Sequence, residues 1–245
     1  MSTLDQQFEQ ILASVARLAT TAKSLIEPLA GSLVELLAPP RCGICEREGA
    51  LLCVECRQRW IPAGADQIRV AGADAAAAIG PYEGGLGEAI RTAKYGGVPS
   101  LAHELGTALA PSIRQVARGA PFSTTLVPIP TAAPRVHERG FDHALILASA
   151  AGAATNTPVV EMLVRTRSTE PLHGMSRVER AVELHCAMAL APAVLYDGAV
   201  LPAAVILIDD VQTSGATVRE AARVLRAAGV SWIGAVSVAH ERGTL

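Results

Sequence analysis

Two kinds of apolar pattern alternate along the chain. Short, nearly continuous apolar runs indicate buried strands at residues 75–82, 124–130, 159–166, 204–208 and 232–240. Between them lie segments with apolar residues at helical spacing, namely residues 85–97, 100–119, 140–154 and 218–228. Strands that alternate with helices predict an α/β domain with a mostly parallel sheet flanked by helices.

Residues at the ends of these segments predict where some helices begin and stop. Ser100 is a candidate N-cap for the helical segment that ends at Gly119, and Pro111 is expected to kink or split that segment. Gly96 and Gly97 close the helix before it. The pattern therefore predicts both the number of elements and several of their boundaries.

The first part of the chain has a different character. Residues 4–37 carry Leu, Ile, Val and Phe at helical spacing, and Pro39 and Pro40 end the segment. We expect this amphipathic face to pack on the main domain, or otherwise on a partner. The predicted organisation is a helical segment at 1–38, a small cysteine module at 39–62 and the α/β domain at 63–245.

Composition and charge exclude some classes of protein. Half of the 245 residues are hydrophobic, and the net charge of −2 argues against a protein that coats nucleic acid by charge alone. Asp5 and Glu9 stand where a secretory signal has basic residues. The apolar stretch at 186–208 contains Asp197, Pro192 and Pro202, so it is read as two buried segments and not as a membrane span. A cytoplasmic location is the simplest expectation.

A cluster of cysteines lies between the N-terminal segment and the α/β domain. Its pattern is C-x2-C-x7-C-x2-C, made by Cys42, Cys45, Cys53 and Cys56. Two such pairs supply four thiolates to one tetrahedral Zn²⁺, and a site with four protein ligands is structural because no coordination position stays open. Unliganded thiols and redox chemistry are the alternatives. We expect the remaining cysteine, Cys186, to be a buried apolar residue.

The second chemical signal is an acidic pair at the end of the apolar run at 204–208. Asp209 and Asp210 lie where the carboxyl end of a buried strand is expected, which is where ligands bind in open α/β sheets. A small-residue turn follows, and a helix then begins near Val218. The backbone N–H groups of this turn and the helix N-terminus predict a phosphate cradle, formed by Thr213, Ser214, Gly215, Ala216 and Thr217. Carboxylates beside a phosphate suit a phosphorylated sugar; the alternative is an ordinary turn in which one Asp acts as a cap.

The stretch VILIDDVQTSGAT resembles the phosphoribosyl-diphosphate (PRPP) binding motif of type I phosphoribosyltransferases. The order of the other segments is similar to the ComF family of competence-associated phosphoribosyltransferase-like proteins, which includes the GntX-like members. These segments are the cysteine module, PYEGGLGEAIRTAKYGG, VPIPTAAPRVHERGFDHA, RTRSTEPLHGMSRVER and then the acidic pair. The resemblance covers about residues 36–241.

The resemblance implies a type I phosphoribosyltransferase fold and a chemistry for the site. A nucleophile would attack the anomeric carbon of ribose while pyrophosphate leaves, with Mg²⁺ bridging the diphosphate and the ribose hydroxyls. Asp209 and Asp210 would orient the ribose, and the pyrophosphate oxygens would be held by Lys94, Arg135 and Arg139. Leu172 and Glu183 depart from the pattern, in the region that resembles the loop over the active site.

Two classes of function remain open at this stage. One is an enzyme that transfers phosphoribose from PRPP to an acceptor. The other is a non-catalytic adaptor in DNA uptake or processing that acts through a competence-like protein partner or through single-stranded DNA. Few aromatic residues are available to stack on bases, which argues against the DNA partner. His137, His143 and His173 show no metal spacing or nucleophile partner, so no role is predicted for them.

Overall fold

The computed structural model describes residues 39–61, 64–166, 187–196 and 201–241. The helices expected within 1–38, the apolar role expected of Cys186, and the two departures at Leu172 and Glu183 lie outside these residues. No helix in the described part of the chain combines the length and the apolar character needed to cross a membrane.

Helices and strands alternate as the sequence predicts. The strands are β1 (Asp66–Ile68), β2 (Ala75–Pro81), β3 (Thr124–Pro128), β4 (Leu163–Arg165), β5 (Met188–Leu190), β6 (Ala204–Gln212) and β7 (Trp232–His240). The helices are α1 (Val54–Trp60), α2 (Gly84–Tyr95), α3 (Pro99–Ala108), α4 (Ala110–Ala117), α5 (Ala133–Arg139), α6 (His143–Thr155), α7 (Pro192–Tyr196) and α8 (Ala216–Ala227).

The main sheet has the strand order β1-β2-β7-β6-β3. Strands β2, β7, β6 and β3 are parallel to their neighbours, and only the short edge strand β1 is antiparallel. The carboxyl ends of the four parallel strands therefore meet at one edge of the sheet. This confirms the prediction of an α/β domain with a mostly parallel sheet.

Strand β6 is apolar because helices cover both faces of the sheet. Its first five residues have no solvent exposure. Ala204, Ile206 and Ile208 pack on one side, in the cluster that includes residues of α2, α3, α4 and α6. Val205 and Leu207 pack on the other side, against α8. A strand buried on both faces needs an uninterrupted apolar run, so the acidic pair marks where this burial ends.

Three local predictions need correction or refinement. The segment at 100–119 is two helices, α3 and α4, and Pro111 lies in the first turn of the second, where a missing N–H is tolerated. The split is confirmed, but the N-cap of α3 is Val98, so the assignment of Ser100 is wrong: the helix starts two residues earlier, with Pro99 in its first turn. The strand expected at 159–166 is only Leu163–Arg165, and it pairs with β5 in a separate antiparallel sheet.

Candidate functional site

Asp209 and Asp210 lie at the carboxyl edge of the parallel sheet, within the last part of β6. Asp209 pairs in register with Ser237 of β7, so the strand continues as regular sheet through the acidic pair. The backbone N–H of Asp210 donates to Asp209 Oδ1 at 2.8 Å. The acidic pair thus lies where the carboxyl ends of the parallel strands meet.

The predicted phosphate loop forms the connection between β6 and α8. Thr213 and Ser214 are half-buried, and Gly215 is the N-cap of α8 with a φ of +75°. The helix begins at Ala216, two residues before the predicted start near Val218. Its first N–H groups have no acceptor within the helix and carry its positive dipole end, so the helix N-terminus lies directly after the acidic pair.

Lys94 lies in the last turn of α2, and its Nζ is 2.8 Å from Asp210 Oδ2. The side chains are only 17% and 22% exposed, so solvent screens this ion pair less than a surface pair. Lys94 and Asp210 are far apart in sequence. The fold thus brings the candidate lysine directly to the acidic pair.

The two aspartates have opposite electrostatic environments. Burial, and next the charge of Asp210, raise the pKa of Asp209 to about 7, and the charges of Lys94 and Arg165 offset only part of this. Burial also acts to raise the pKa of Asp210, but the charge of Lys94 and the hydrogen bond from it lower that pKa below its ordinary value. Asp210 is therefore the ionised member of the pair, and Asp209 takes up a proton near neutrality.

The two candidate arginines, both on α5, differ in their surroundings. Arg139 is half-buried, and its guanidinium carbon lies 5.0 Å from the centre of the Tyr95 ring, next to Lys94 in sequence. Arg135 is exposed, although its charge acts on Arg165. Arg139 is thus brought close to the residue that follows Lys94, whereas Arg135 faces solvent.

Arg165 reaches the same edge from the ribbon of β4 and β5. Its Nε donates to the backbone carbonyl of Pro130 at 2.8 Å. Burial lowers its pKa, and the charge of Asp209 opposes that effect. A cation that remains charged in a buried setting benefits from an anionic neighbour, and the charge of Asp209 acts in this way on Arg165.

His143 is the residue of the site for which no role was predicted. It is fully buried at the first position of α6, and Asp142 caps this helix by accepting from the backbone N–H groups of Ala144 and Leu145. Burial lowers the pKa of His143 to about 4, while the charge of Asp210 raises it and that of Lys94 lowers it. An Asp before an apolar helical run is a recognised N-cap signal, and it could have placed His143 at the helix start.

The four cysteines of the N-terminal module converge on one point. All four Sγ atoms lie within 4.8 Å of one another, and Cys45 Sγ is 3.7 Å from Cys53 Sγ. That separation fits the edge of a tetrahedron with a metal–sulfur distance of about 2.3 Å. The cysteines are free of disulfides. This cluster therefore has the geometry to hold a metal ion such as zinc.

Backbone hydrogen bonds favour the thiolate form of one member of this cluster, Cys42. Burial acts to raise the pKa of Cys42, but hydrogen bonds from the backbone at Cys53, Cys45 and Ile44 lower it to about 6. Burial raises the pKa of Cys56. A thiol whose thiolate form is stabilised by backbone N–H groups is prepared for a cation, since the thiolate is the ligand.

Direct contacts attach the cysteine module to α2 and α3. Thr92 Oγ1 donates to the backbone carbonyl of Gly43 at 3.1 Å, and Arg57 forms an ion pair with Glu104. The Trp60 ring covers the two glycines that begin α2, and a Cβ atom at Gly85 would lie 2.5 Å from it. The module is thus packed against the helix that carries Lys94.

Comparison with protein-family models finds no family that matches the chain, and a search of curated proteins finds no similar protein.

Proposed function

We propose that the protein has a type I phosphoribosyltransferase fold, is related to the ComF family, and binds PRPP with Mg²⁺ to transfer phosphoribose to an acceptor. The observation that carries the proposal is the meeting of three features at the carboxyl edge of the sheet. These are the acidic pair at the end of β6, the N-terminus of α8 after a Gly215 turn, and the Lys94–Asp210 ion pair. An anion site beside paired carboxylates suits a ligand with both phosphate and hydroxyl groups.

Each group has a distinct task in this proposal. The backbone of the turn at 213–217 and the hydroxyls of Thr213, Ser214 and Thr217 bind the 5′-phosphate. Asp209 and Asp210 accept hydrogen bonds from the ribose hydroxyls and stabilise positive charge that develops on the ring. The diphosphate is drawn to Lys94 and Arg139, with the exposed Arg135 as a third contact.

The site has the donors that Mg²⁺ prefers. Carboxylate oxygens are hard ligands, and Mg²⁺ keeps several waters, so one or two carboxylates suffice. Burial, and next the charge of Asp210, raise the pKa of Asp209, and a bound cation would oppose both effects. Asp209 and Asp210 would hold the ion together with ligand oxygens, and the bound Mg²⁺ would supply charge that neutralises the leaving diphosphate.

The cysteine cluster is proposed to hold one structural Zn²⁺. Four thiolates complete a tetrahedral shell and leave no open position for substrate. Elemental analysis after reducing purification is expected to give one equivalent of zinc, and chelation is expected to lower the melting temperature. A protein that is fully folded without metal and gains no stability from added zinc would contradict this part of the proposal.

Calorimetric titration with PRPP, in the presence and absence of Mg²⁺, tests the ligand site. We expect Mg²⁺-dependent binding by the wild type and no binding by Asp209→Asn with Asp210→Asn. Glu161→Gln, which neutralises an exposed carboxylate outside the site, is the control and should bind as the wild type does. Unchanged affinity in the double variant, or no binding by the wild type, would refute the assignment. Binding without pyrophosphate release across an acceptor screen would favour the non-catalytic adaptor.

A further inference from the structure

His143 is a buried polar side chain whose hydrogen-bonding capacity is unused. The residue has no solvent exposure, and neither Nδ1 nor Nε2 has a hydrogen-bond partner. An unpaired polar group in a protein interior costs about 1–3 kcal/mol, and an aliphatic residue would avoid that cost. A buried imidazole with two unpaired nitrogens therefore needs an explanation.

The surroundings of the ring suggest what its partner is. His143 is the first residue of α6, which packs against β3 and β6. The charges of both Asp210 and Lys94 act on the imidazole, so the three side chains belong to one site. Asp210 now accepts its hydrogen bond from Lys94 at 2.8 Å.

A diphosphate ligand would change this arrangement. Lys94 is a candidate contact for the diphosphate oxygens, and an ammonium drawn to them would weaken its bond to Asp210. Asp210 would then be a partly buried carboxylate without its cation, which is unfavourable. A neutral imidazole has one N–H to donate, and in the described state that donor is unused.

We propose that His143 is a positioning residue that donates a hydrogen bond to Asp210 when the diphosphate of a bound ligand draws Lys94 away. This inference rests on the proposed PRPP site. It goes further because it assigns a role at Asp210 to His143, for which the sequence predicts none. His143 would keep Asp210 ionised and oriented toward the ribose hydroxyls.

The first test separates ligands with and without a diphosphate. Calorimetry with Mg²⁺ measures binding of PRPP and of ribose 5-phosphate, which lacks the group that attracts Lys94. His143→Leu is expected to weaken PRPP binding about tenfold and ribose 5-phosphate binding less than about twofold. His143→Gln keeps an N–H donor and is expected to restore most of the PRPP affinity. The proposal would be overturned if His143→Leu weakened the binding of both ligands equally, or if His143→Gln did not restore PRPP binding.

The second test observes the imidazole of His143 itself and does not depend on the leucine variant folding. Imidazole ¹⁵N resonances of His143 should move when Mg²⁺ and PRPP are added to the wild type. In Lys94→Met they should lie near the shifted positions before any ligand is added, since Asp210 has already lost its lysine. Resonances that stay fixed while calorimetry records PRPP binding would refute the role of His143 but not the proposed PRPP site. Failure of the wild type to bind PRPP would refute the proposed function itself.

Discussion

The side-chain hydroxyl of Thr92 donates to the backbone carbonyl of Gly43 across 3.1 Å, and Thr92 lies two residues before Lys94 on α2. This bond connects the turn between the first two cysteines of the module to the helix that supplies a cation to Asp210. The cysteine module is therefore bonded directly to the α/β domain. Its fold supports the position of α2, and through α2 that of Lys94.

Replacing Thr92 with Val removes this donor and keeps the shape of the side chain. The carbonyl of Gly43 loses its partner, so we expect the free energy of unfolding to fall by about 1 kcal/mol. We also expect faster loss of zinc to a chelator and weaker PRPP binding. Thr107→Val is the matched control, because Thr107 donates only within its own helix, to the carbonyl of His103. Equal chelation rates in the two variants would contradict the coupling.

The contact of Trp60 with α2 gives a second test of the same connection. A Cβ atom at Gly85 would lie 2.5 Å from Trp60 Cδ1 and Nε1, closer than side chains approach, so the indole must shift in Gly85→Ala. Overpacking of this kind costs about 1–3 kcal/mol. Gly64→Ala places its Cβ in open space and should leave stability nearly unchanged. Urea unfolding of both variants measures the difference, and a Gly85→Ala protein as stable as the wild type would show that Trp60 does not fix the module.

The sequence predicts those features that depend on local pattern. The continuous apolar run at 204–208 predicts a buried strand, and helices do cover both faces of β6. The cysteine cluster follows from its spacing alone. The break between α3 and α4 also follows from the sequence, because Pro111 has a fixed φ and no backbone N–H to donate.

Features that depend on distant contacts could not be read in this way. The pairing of Lys94 with Asp210 joins two segments separated by more than a hundred residues, and no periodicity encodes it. No local pattern marks His143, because its significance lies in its total burial and in its neighbours from other elements. Strand β4 was predicted too long, since its short partner β5 limits the ribbon.

Gly215 tests whether the start of α8 binds phosphate. Its φ of +75° disfavours any other residue, and an added Cβ would lie 3.2 Å from Val70 Cγ1. Gly215→Ala is expected to lose about 1–2 kcal/mol of stability and to bind both PRPP and ribose 5-phosphate at least about tenfold more weakly. Both ligands carry the 5′-phosphate, so both should be affected.

The control for Gly215 lies just beyond the other end of the same helix. Gly229 has a φ of +102° with open space around its Cβ position, so Gly229→Ala introduces backbone strain far from the proposed phosphate. We expect this variant to lose stability and keep its affinity for both ligands. If both glycine variants weaken binding in proportion to their loss of stability, the turn acts on the fold and not on the ligand.

Asp209 links stability to pH in a direction that can be measured. Its pKa of about 7 lies above the value of about 3.9 in an unfolded chain, so the folded protein holds a proton between these values that the unfolded chain releases. Asp209 therefore makes the fold less stable as pH rises from about 4 to about 7, and the full cost remains above pH 7. Asp209→Asn removes this titration, while the Asn oxygen can still accept from the backbone N–H of Asp210.

Asp209→Asn is thus expected to be more stable than the wild type by about 1–3 kcal/mol at pH 8, with the difference shrinking toward pH 4. Ribose binding needs the ionised carboxylate, so PRPP affinity of the wild type should rise from pH 6 to pH 8 and that of the variant should stay low. Urea unfolding and calorimetry at these pH values measure the two effects, with Glu161→Gln as the control for loss of a carboxylate. Parallel stability curves for wild type and Asp209→Asn would show that Asp209 is ionised throughout, and that the repulsion between the two carboxylates is already compensated by Lys94 and Arg165.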